Sequence, residues 1–546
     1  MTKSHNKAKW AVWGLLLLFV LLSSLPFLFE GCGPLALLSF TPLFLIDEIC
    51  RREGLRGAGW YGFLALLLFN IATTFWVWFV SPAGSVAAIL LNTLFMFILF
   101  ALFRWCRRLC RKGAKWLPYL FFAAIWLAWE HIYFNIDLTW PWLTLGYAFA
   151  TSHKLVQWYE VTGVLGGSLW ILSASILAFC GIREAMDGHR KAAGWLAGAL
   201  GAVVLIPTVC SLIRYYGYQE KGEAIEVALI QPNVDPFERH GHGTTTQQEL
   251  DEQMIRLFER VITPQTRYLI TPETVTYGIS LNNVAASESF ERYKAFLERH
   301  EGANLLFGSL TNQPYFCEER PTLTARKLPW YWMDRYNSAL LMDSRNLYGF
   351  YHKSRLVPGT ECIPFLNQAP WLGTLVEKFG GASGSYGRME KMLVLRGNDG
   401  IGVAPMICYE SVYGDYSRGA VRDGADFMAV MTNDAWWGDT PGYRQHFRYA
   451  ALRAIENRRD VAQAANTGYS GFFNQRGDVL QRSAWWTEEA LSGEVHLNKE
   501  LTPFTRHGDV IGRWARWISL LLALLSLASF VWGKKSARGK SAADNS

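Results

Sequence analysis

Eight long apolar runs constrain this chain more than any other feature. They lie at Ala11–Phe29, Leu35–Ile49, Trp60–Phe79, Val86–Phe103, Leu117–Tyr133, Gly163–Gly181, Ala192–Leu212 and Trp514–Val531. A hydrocarbon core of ~30 Å is crossed by ~20 apolar residues in a helix, and the backbone polar groups must be satisfied within the segment. Seven membrane helices are therefore expected within residues 1–214, and one more at 514–531. With 51% hydrophobic and 18% charged residues among 546, disorder and a purely soluble cytosolic protein are both excluded. Lys3, Lys7 and Lys9 precede the first run, as in a signal peptide. That run is too long for an ordinary signal core, and Gly31-Cys32-Gly33-Pro34 is a poor cleavage site.

Basic residues alternate with the runs. They cluster at Lys3–Lys9, at Arg51, Arg52 and Arg56, from Arg104 to Lys115, at Arg183, Arg190 and Lys191, and from Lys534 to Lys540. The other loops are nearly free of them, with Lys154 the exception. The positive-inside rule then puts both termini in the cytoplasm and residues 222–508 outside. It also makes the short second run a crossing, because a re-entrant segment would break the alternation. The tail, 532–546, is cytoplasmic. The net charge of +7 is mild and sits beside apolar runs, so no nucleic-acid partner is expected.

Residues 222–508 read differently. Ile225–Ile230, Tyr268–Thr271, Asn304–Gly308, Ala339–Met342, Gly402–Ile407, Phe427–Met431 and Val461–Ala464 are short, β-rich and continuously apolar, which suits strands buried on both faces. Helical patterns at Gln247–Ile262, Phe290–His300 and Tyr443–Asn457 separate them. Alternation of this kind predicts a layered α/β domain. The fold class expected is a multi-span α-helical membrane domain joined to an α/β domain.

Three segments each put a reactive residue at or near the end of an apolar run: Tyr268-Leu-Ile-Thr-Pro-Glu273, Tyr351-His-Lys353 and Val403-Ala-Pro-Met-Ile-Cys408. Sites in α/β sheets form beyond the carboxyl ends of strands. There Cys408 can act as nucleophile and Glu273 as the base that takes its proton. Lys353 is expected to depress the thiol pKa and to hold the charge that develops on a carbonyl oxygen, with the Tyr409 N–H as a second donor.

The order Glu273, Lys353, Cys408 resembles the Glu–Lys–Cys triad of the carbon–nitrogen hydrolase (nitrilase) superfamily. Ala228-Leu-Ile-Gln-Pro-Asn233, Lys353-x-x-Leu-Val-Pro-x-x-Glu361, Ile407-Cys-Tyr-Glu410, Thr432-Asn-Asp-Ala-Trp-Trp-Gly438 and Ala464-Ala-Asn466-Thr-Gly-Tyr-Ser470 resemble its surrounding motifs. Seven spans before such a domain and one after it are similar to the apolipoprotein N-acyltransferase family, over nearly the whole chain. One departure is Val357-Pro-Gly-Thr-Glu361, where that family commonly has Val-Pro-Phe-Gly-Glu. The resemblance implies a nitrilase-like α-β-β-α sandwich on a membrane bundle, in a bacterial cytoplasmic (inner) membrane. It implies a phospholipid acyl donor such as phosphatidylethanolamine and a diacylglyceryl-apolipoprotein acceptor. It further implies a Cys408 thioester in a ping-pong scheme, with no cofactor or metal. Glu361 would orient Lys353, Tyr409 and Glu410 would shape the nucleophile's turn, and Trp436 would line the site or the acyl path.

Two other readings use the same residues. A membrane-tethered amidase or nitrilase would discharge the thioester to water, and a non-catalytic domain would only bind lipid or a partner. Gly380, Gly381, Gly384 and Gly387 read as an arm near the membrane that admits lipid. His240 and His242 read as loop residues rather than metal ligands. Glu130, His131 and Trp140-Pro-Trp142 read as an interfacial anchor. Cys106 and Cys110 read as reduced, buried thiols, while a Cys317–Cys362 disulfide is left open. A monomer is the default.

Overall fold

The structure is a computed structural model that describes residues 2–110, 115–235, 245–366, 368–371 and 385–543. His240, His242, Gly380, Gly381 and Gly384 lie outside the described residues.

The helices of the first part are α1 (Thr2–Leu28), α2 (Phe40–Arg52), α3 (Ala58–Thr74), α4 (Pro82–Leu109), α5 (Leu117–Tyr133), α6 (Val164–Met186) and α7 (Arg190–Gly217). Among the described residues, seven helical segments are long and apolar enough to cross a membrane, the last being the one that begins at Val510. The expected fifth span is α5. At 17 residues it extends about 25 Å, at the lower limit for a crossing. Most of its side chains, among them Phe121, Phe122, Trp126 and Leu127, are buried against other helices. Its Tyr119 and Phe122 rings meet Phe44 of α2 at 5.6 and 5.2 Å, and Phe44 also meets Phe103 of α4 and Phe179 of α6 at 5.3 and 5.6 Å. Edge-to-face and tilted contacts of this sort fix helix rotation better than aliphatic packing alone.

The two ends of the bundle differ in chemistry. At one end Arg104 and Arg107 of α4 reach Asp47, Arg51 and Arg52 reach Glu48, and Arg52 reaches Asp187 at 2.7 Å. Three of the five basic clusters that the sequence assigns to one side, those around Arg51, Arg104 and Arg183, meet at this end of the bundle. The α/β part is docked on the opposite end.

Among the described residues that part has fourteen strands: β1 (Glu223–Gln231), β2 (Thr266–Ile270), β3 (Thr276–Ser280), β4 (Asn304–Tyr315), β5 (Arg326–Lys327), β6 (Trp332–Met342), β7 (Leu347–His352), β8 (Leu395–Arg396), β9 (Gly402–Ile407), β10 (Phe427–Thr432), β11 (Val461–Ala465), β12 (Gly471–Phe473), β13 (Val479–Arg482) and β14 (Glu489–Leu497). They form two sheets. The eight-stranded sheet runs β14-β1-β2-β4-β6-β5, with β3 beside β4 and β7 beside β6. The six-stranded sheet runs β13-β12-β11-β10-β9-β8, with β9, β10 and β11 parallel.

Period-two alternation sorts the side chains. Val227, Leu229, Ile270, Leu306 and Leu341 point to the space between the sheets, where they meet the inward face of the smaller sheet, including Val403 and Phe427. Their neighbours Ala228, Ile230, Leu269, Leu305, Phe307 and Leu340 point outward, onto α8 (Gln247–Glu259) and α9 (Glu288–Leu297). The far face of the smaller sheet is covered by α10 (Gly414–Arg422) and α11 (Pro441–Asn457), whose Val421, Phe447 and Ala450 join the same core. The result is the expected α-β-β-α layering. The last helix, α12, runs from Val510 to Ala543 and takes in both the expected eighth span and most of the tail.

Docking of the two parts uses neutral hydrogen bonds and aromatic contacts with a few ion pairs. Trp142 Nε1 donates to Gln445 Oε1 at 2.6 Å, and Tyr449 OH donates to the Trp142 carbonyl at 2.8 Å. Gln445 Nε2 donates to the carbonyls of Phe27 and Thr73, each at 3.2 Å, and Arg458 pairs with Glu160 at 2.6 Å. Trp76 meets Trp140, Trp142 and Trp437 at 6.1, 5.0 and 4.8 Å in this layer, and Trp140 stacks on Trp142 at 5.6 Å. The expected interfacial anchor is therefore corrected. Trp142 is 1% exposed because a folded domain covers it, and Glu130 is 5% exposed within the membrane part, where its Oε1 accepts from Trp126 Nε1 at 3.1 Å and from the Leu145 N–H at 2.8 Å.

Candidate active site

Cys408 follows the last residue of β9 and opens a short helical turn, Cys408–Val412. Its φ is +51°, a strained value for a residue with a side chain. A tight strand-to-helix turn of this kind pushes the side chain off the sheet edge. The residue is partly exposed.

Glu273 arrives three residues after β2, and Lys353 one residue after β7. Both come from the larger sheet, so the site straddles the seam between the two. Lys353 Nζ donates to Glu273 Oε1 at 3.1 Å and to Glu361 Oε1 at 2.9 Å, and its side chain is 1% exposed. Asn337 Nδ2 donates to the same two oxygens, at 2.5 and 3.1 Å. Asn337 lies in the middle of β6, and its carbonyl also receives the Lys353 N–H at 2.8 Å. Glu361 Oε2 accepts from the Val357 N–H at 2.8 Å, so the Val357-Pro-Gly-Thr-Glu361 turn still closes on itself despite its unusual sequence. Gly308 of β4 lies behind Glu273. A Cβ there would stand 2.4 Å from the Pro272 carbonyl and 2.9 Å from Glu273 Cα.

Electrostatics correct one expectation. Burial pushes the Cys408 thiol well above its usual range, and Glu273 adds to the rise while Lys353 opposes it. Lys353 does pull the thiol down, but burial and the Glu273 charge together outweigh it. Burial disfavours the ammonium, yet Glu273 and Glu361 outweigh that and hold its pKa well above the ordinary lysine value. One cation beside two carboxylates leaves the pocket with net negative charge. The resting group is a thiol, and a base must act during attack. An ammonium has three N–H donors. Two are taken by the carboxylates, leaving one for a substrate oxygen.

A second group of buried residues holds the nucleophile's main chain. Glu410 Oε1 accepts from Tyr351 OH at 2.5 Å, Ser354 N at 2.8 Å and Arg355 N at 3.1 Å, while Oε2 accepts from Ile407 N at 2.9 Å. It thus ties the turn after Lys353 to the strand before Cys408. Burial raises its pKa to about 6 against these hydrogen bonds. Tyr409 is buried, and its hydroxyl donates to the Thr139 carbonyl at 3.0 Å, pinning the turn to the membrane part.

Sequence reasoning missed Asn337 and a third support, His446. His446 Nε2 lies 3.1 Å from the Cys408 carbonyl and 2.8 Å from Ser411 Oγ. Its Nδ1 lies 3.0 Å from Asp434 Oδ1, which also accepts from Thr432 Oγ1 at 2.6 Å. Carbonyl and carboxylate oxygens are both pure acceptors, so both ring nitrogens meet the geometry best as N–H donors. Burial disfavours the imidazolium, but Asp434 outweighs it and raises the His446 pKa. The signal available was the polar Gln445-His446 pair within the helical Tyr443–Asn457 pattern.

Trp436 is half-buried beside the site segment, and it is its neighbour Trp437 that stacks on Trp76 at 4.8 Å and on His446 at 5.5 Å. Cys317 and Cys362 are both free, with Cys317 Sγ donating to the Glu319 carbonyl at 3.2 Å, so they form no disulfide. Cys106 and Cys110 are buried free thiols. Of the glycine-rich segment the described part is anchored. Tyr386 N donates to the Glu361 carbonyl and Gly387 N to that of Arg335, each at 2.9 Å.

A two-sheet α/β sandwich with Glu, Lys and Cys at one seam defines a class. Residues 226–500, half of the chain, match the carbon–nitrogen hydrolase family, and the chain belongs to it. Residues 7–177 match the apolipoprotein N-acyltransferase N-terminal domain. Together the two matches place the chain among the apolipoprotein N-acyltransferases, as an acyltransferase enzyme. It is 29% identical over 510 residues to the apolipoprotein N-acyltransferase of Chlorobaculum tepidum, covering 90% of this chain and 92% of that protein. It is 26% identical over 514 residues to that of Geobacter metallireducens, covering 90% and 91%. A third relative of that name, from Pseudomonas syringae, is 27% identical over 525 residues, covering 92% and 93%.

Proposed function

We propose that the enzyme moves a fatty acyl chain from a membrane phospholipid to the N-terminal amine of a diacylglyceryl-cysteine, through a thioester on Cys408. The observation that carries this reading is the buried Glu273–Lys353–Glu361 cluster facing a protonated thiol, on a domain docked to the end of a membrane bundle. Cys408 sulfur attacks the sn-1 ester carbonyl of a donor such as phosphatidylethanolamine, and Glu273 takes the thiol proton. The remaining Lys353 N–H holds the oxyanion. The ester C–O bond breaks, Glu273 returns the proton to the leaving alkoxide, and a lysophospholipid departs. The acceptor amine then attacks the thioester. Glu273 takes its proton, the C–S bond breaks, and the thiol regains the proton as the amide forms. The pocket carries the same net charge before and after each attack, since the oxyanion appears as Glu273 is neutralised.

Residues 222–508 then face the outer side of a bacterial inner membrane. Residues 1–214 and 514–531 span it, and both termini, with the tail 532–546, are cytoplasmic. The gathering of basic loops at the bundle end away from the sandwich supports this orientation. Water as acceptor is the competing chemistry. The test is purified enzyme in detergent with phosphatidylethanolamine and a diacylglyceryl-cysteine peptide. A peptide heavier by one acyl chain is expected, formed in step with lysophospholipid. Free fatty acid with unmodified peptide would instead establish a hydrolase.

A further inference from the structure

A cavity of about 230 Å³ lies on the far side of the nucleophile's turn from the thiol. None of Glu273, Lys353 and Cys408 lines it. Its walls include Arg355 from the turn after Lys353, Tyr416, Arg418 and Arg422 from α10, Lys391, and Asn135 just past the end of α5. It opens at the level where α5 ends and α12 begins, the junction of sandwich and bundle.

The wall carries four cations against two carboxylates. Arg418 is paired with Asp415 at 2.6 Å, and Lys391 and Arg422 share Asp423 at 3.3 and 3.5 Å. Arg355 alone has no carboxylate partner among the described residues. Its guanidinium lies over the rings of Tyr413 and Tyr416, 5.6 and 5.0 Å from their centroids. Its Nε is buried with no hydrogen-bond partner. The two rings hold the planar fork in place at the cavity wall, where no carboxylate among the described residues balances its charge.

We infer that this cavity binds a phosphate ester anion, with the unbalanced Arg355 guanidinium as the principal cation and Lys391 and Arg422 supplying the surrounding positive charge. A guanidinium fork matches phosphate oxygens, and the excess of two positive charges matches a phosphate better than a neutral ligand. A phospholipid headgroup at the bundle junction and free phosphate share this chemistry. The site is separate from the reacting thiol but mechanically joined to it. The Arg355 N–H and the Ile407 N–H both end on Glu410, so an occupant braces the turn between Lys353 and Cys408.

The test uses the full chain carrying Cys408→Ala, which prevents turnover and makes the result independent of the acyl-transfer reading. Native mass spectrometry in detergent compares retention of phosphatidylglycerol and of a diacylglycerol with the same chains. Arg355→Gln is expected to weaken phosphatidylglycerol retention about tenfold and to leave diacylglycerol unchanged. Lys391→Gln/Arg422→Gln alters two exposed side chains and decides the matter if Arg355→Gln fails to fold; it is expected to weaken retention about threefold. Loss of the lipid to millimolar inorganic phosphate gives the site to free phosphate, and retention gives it to a headgroup; both uphold it. Equal phosphatidylglycerol retention by all folded forms would overturn it.

Discussion

Cys408 stands between two sets of buried polar groups that do different work. On the thiol side, Glu273, Lys353, Glu361 and Asn337 bond to one another and leave one N–H over. On the main-chain side, Glu410 and the His446–Asp434 pair spend their hydrogen bonds on the backbone of residues 354, 355, 407 and 408. A carboxylate saturated by backbone N–H groups has no capacity left for a moving proton. One whose partners are side chains can release them as charge shifts. Position relative to the thiol, and not residue type, separates a base from a brace.

The division predicts a graded series. Glu273→Gln keeps the shape and removes the base, so acyl transfer should fall about a hundred- to ten-thousandfold with little change in the unfolding midpoint. Lys353→Met should cost about a hundred- to a thousandfold in rate through the lost oxyanion donor. It should also cost stability, about 3–5 kcal/mol, because two carboxylates lose their buried partner. Glu410→Gln should reverse the order of effects. It forfeits backbone acceptor capacity and should lower stability by about 1–3 kcal/mol, with a smaller loss of rate. A Glu410→Gln enzyme of normal stability and no activity would break the comparison.

The smallest effect is the most diagnostic. The His446 pKa is raised in the folded enzyme. Its contribution to stability is therefore fully present below the unfolded histidine value, about 6.5, and is lost as pH rises through the folded value. The gap in unfolding midpoint between wild type and His446→Gln should be widest below about pH 6.5 and shrink as pH rises through the folded value. A gap that does not change with pH would show a neutral imidazole held only by packing.

Much of this was legible in the sequence, because Glu273, Lys353 and Cys408 each lie at or close behind an apolar run, and the seven expected strands form as β1, β2, β4, β6, β9, β10 and β11. Those are local signals. Asn337 was not legible, since its partners come from segments 64 and 24 residues away and the apolar run was taken to begin at Ala339. The sign of the thiol pKa was not legible, because the lysine is visible in the sequence while the burial of Cys408 and the Glu273 charge beside it are set by the fold. Trp140 and Trp142 mark the end of a span equally well in a lipid belt or under a docked domain. Only Gln445 and Tyr449, some 300 residues later, decide between the two.

The most direct measurement is the intact mass of wild type and Cys408→Ser after incubation with a phospholipid alone. Wild type should gain one acyl chain, removable by hydroxylamine, and the variant should yield no hydroxylamine-labile adduct. An equal, labile acyl increment on the folded Cys408→Ser protein, or none on folded wild type with donors of several headgroups, would contradict a thioester at Cys408.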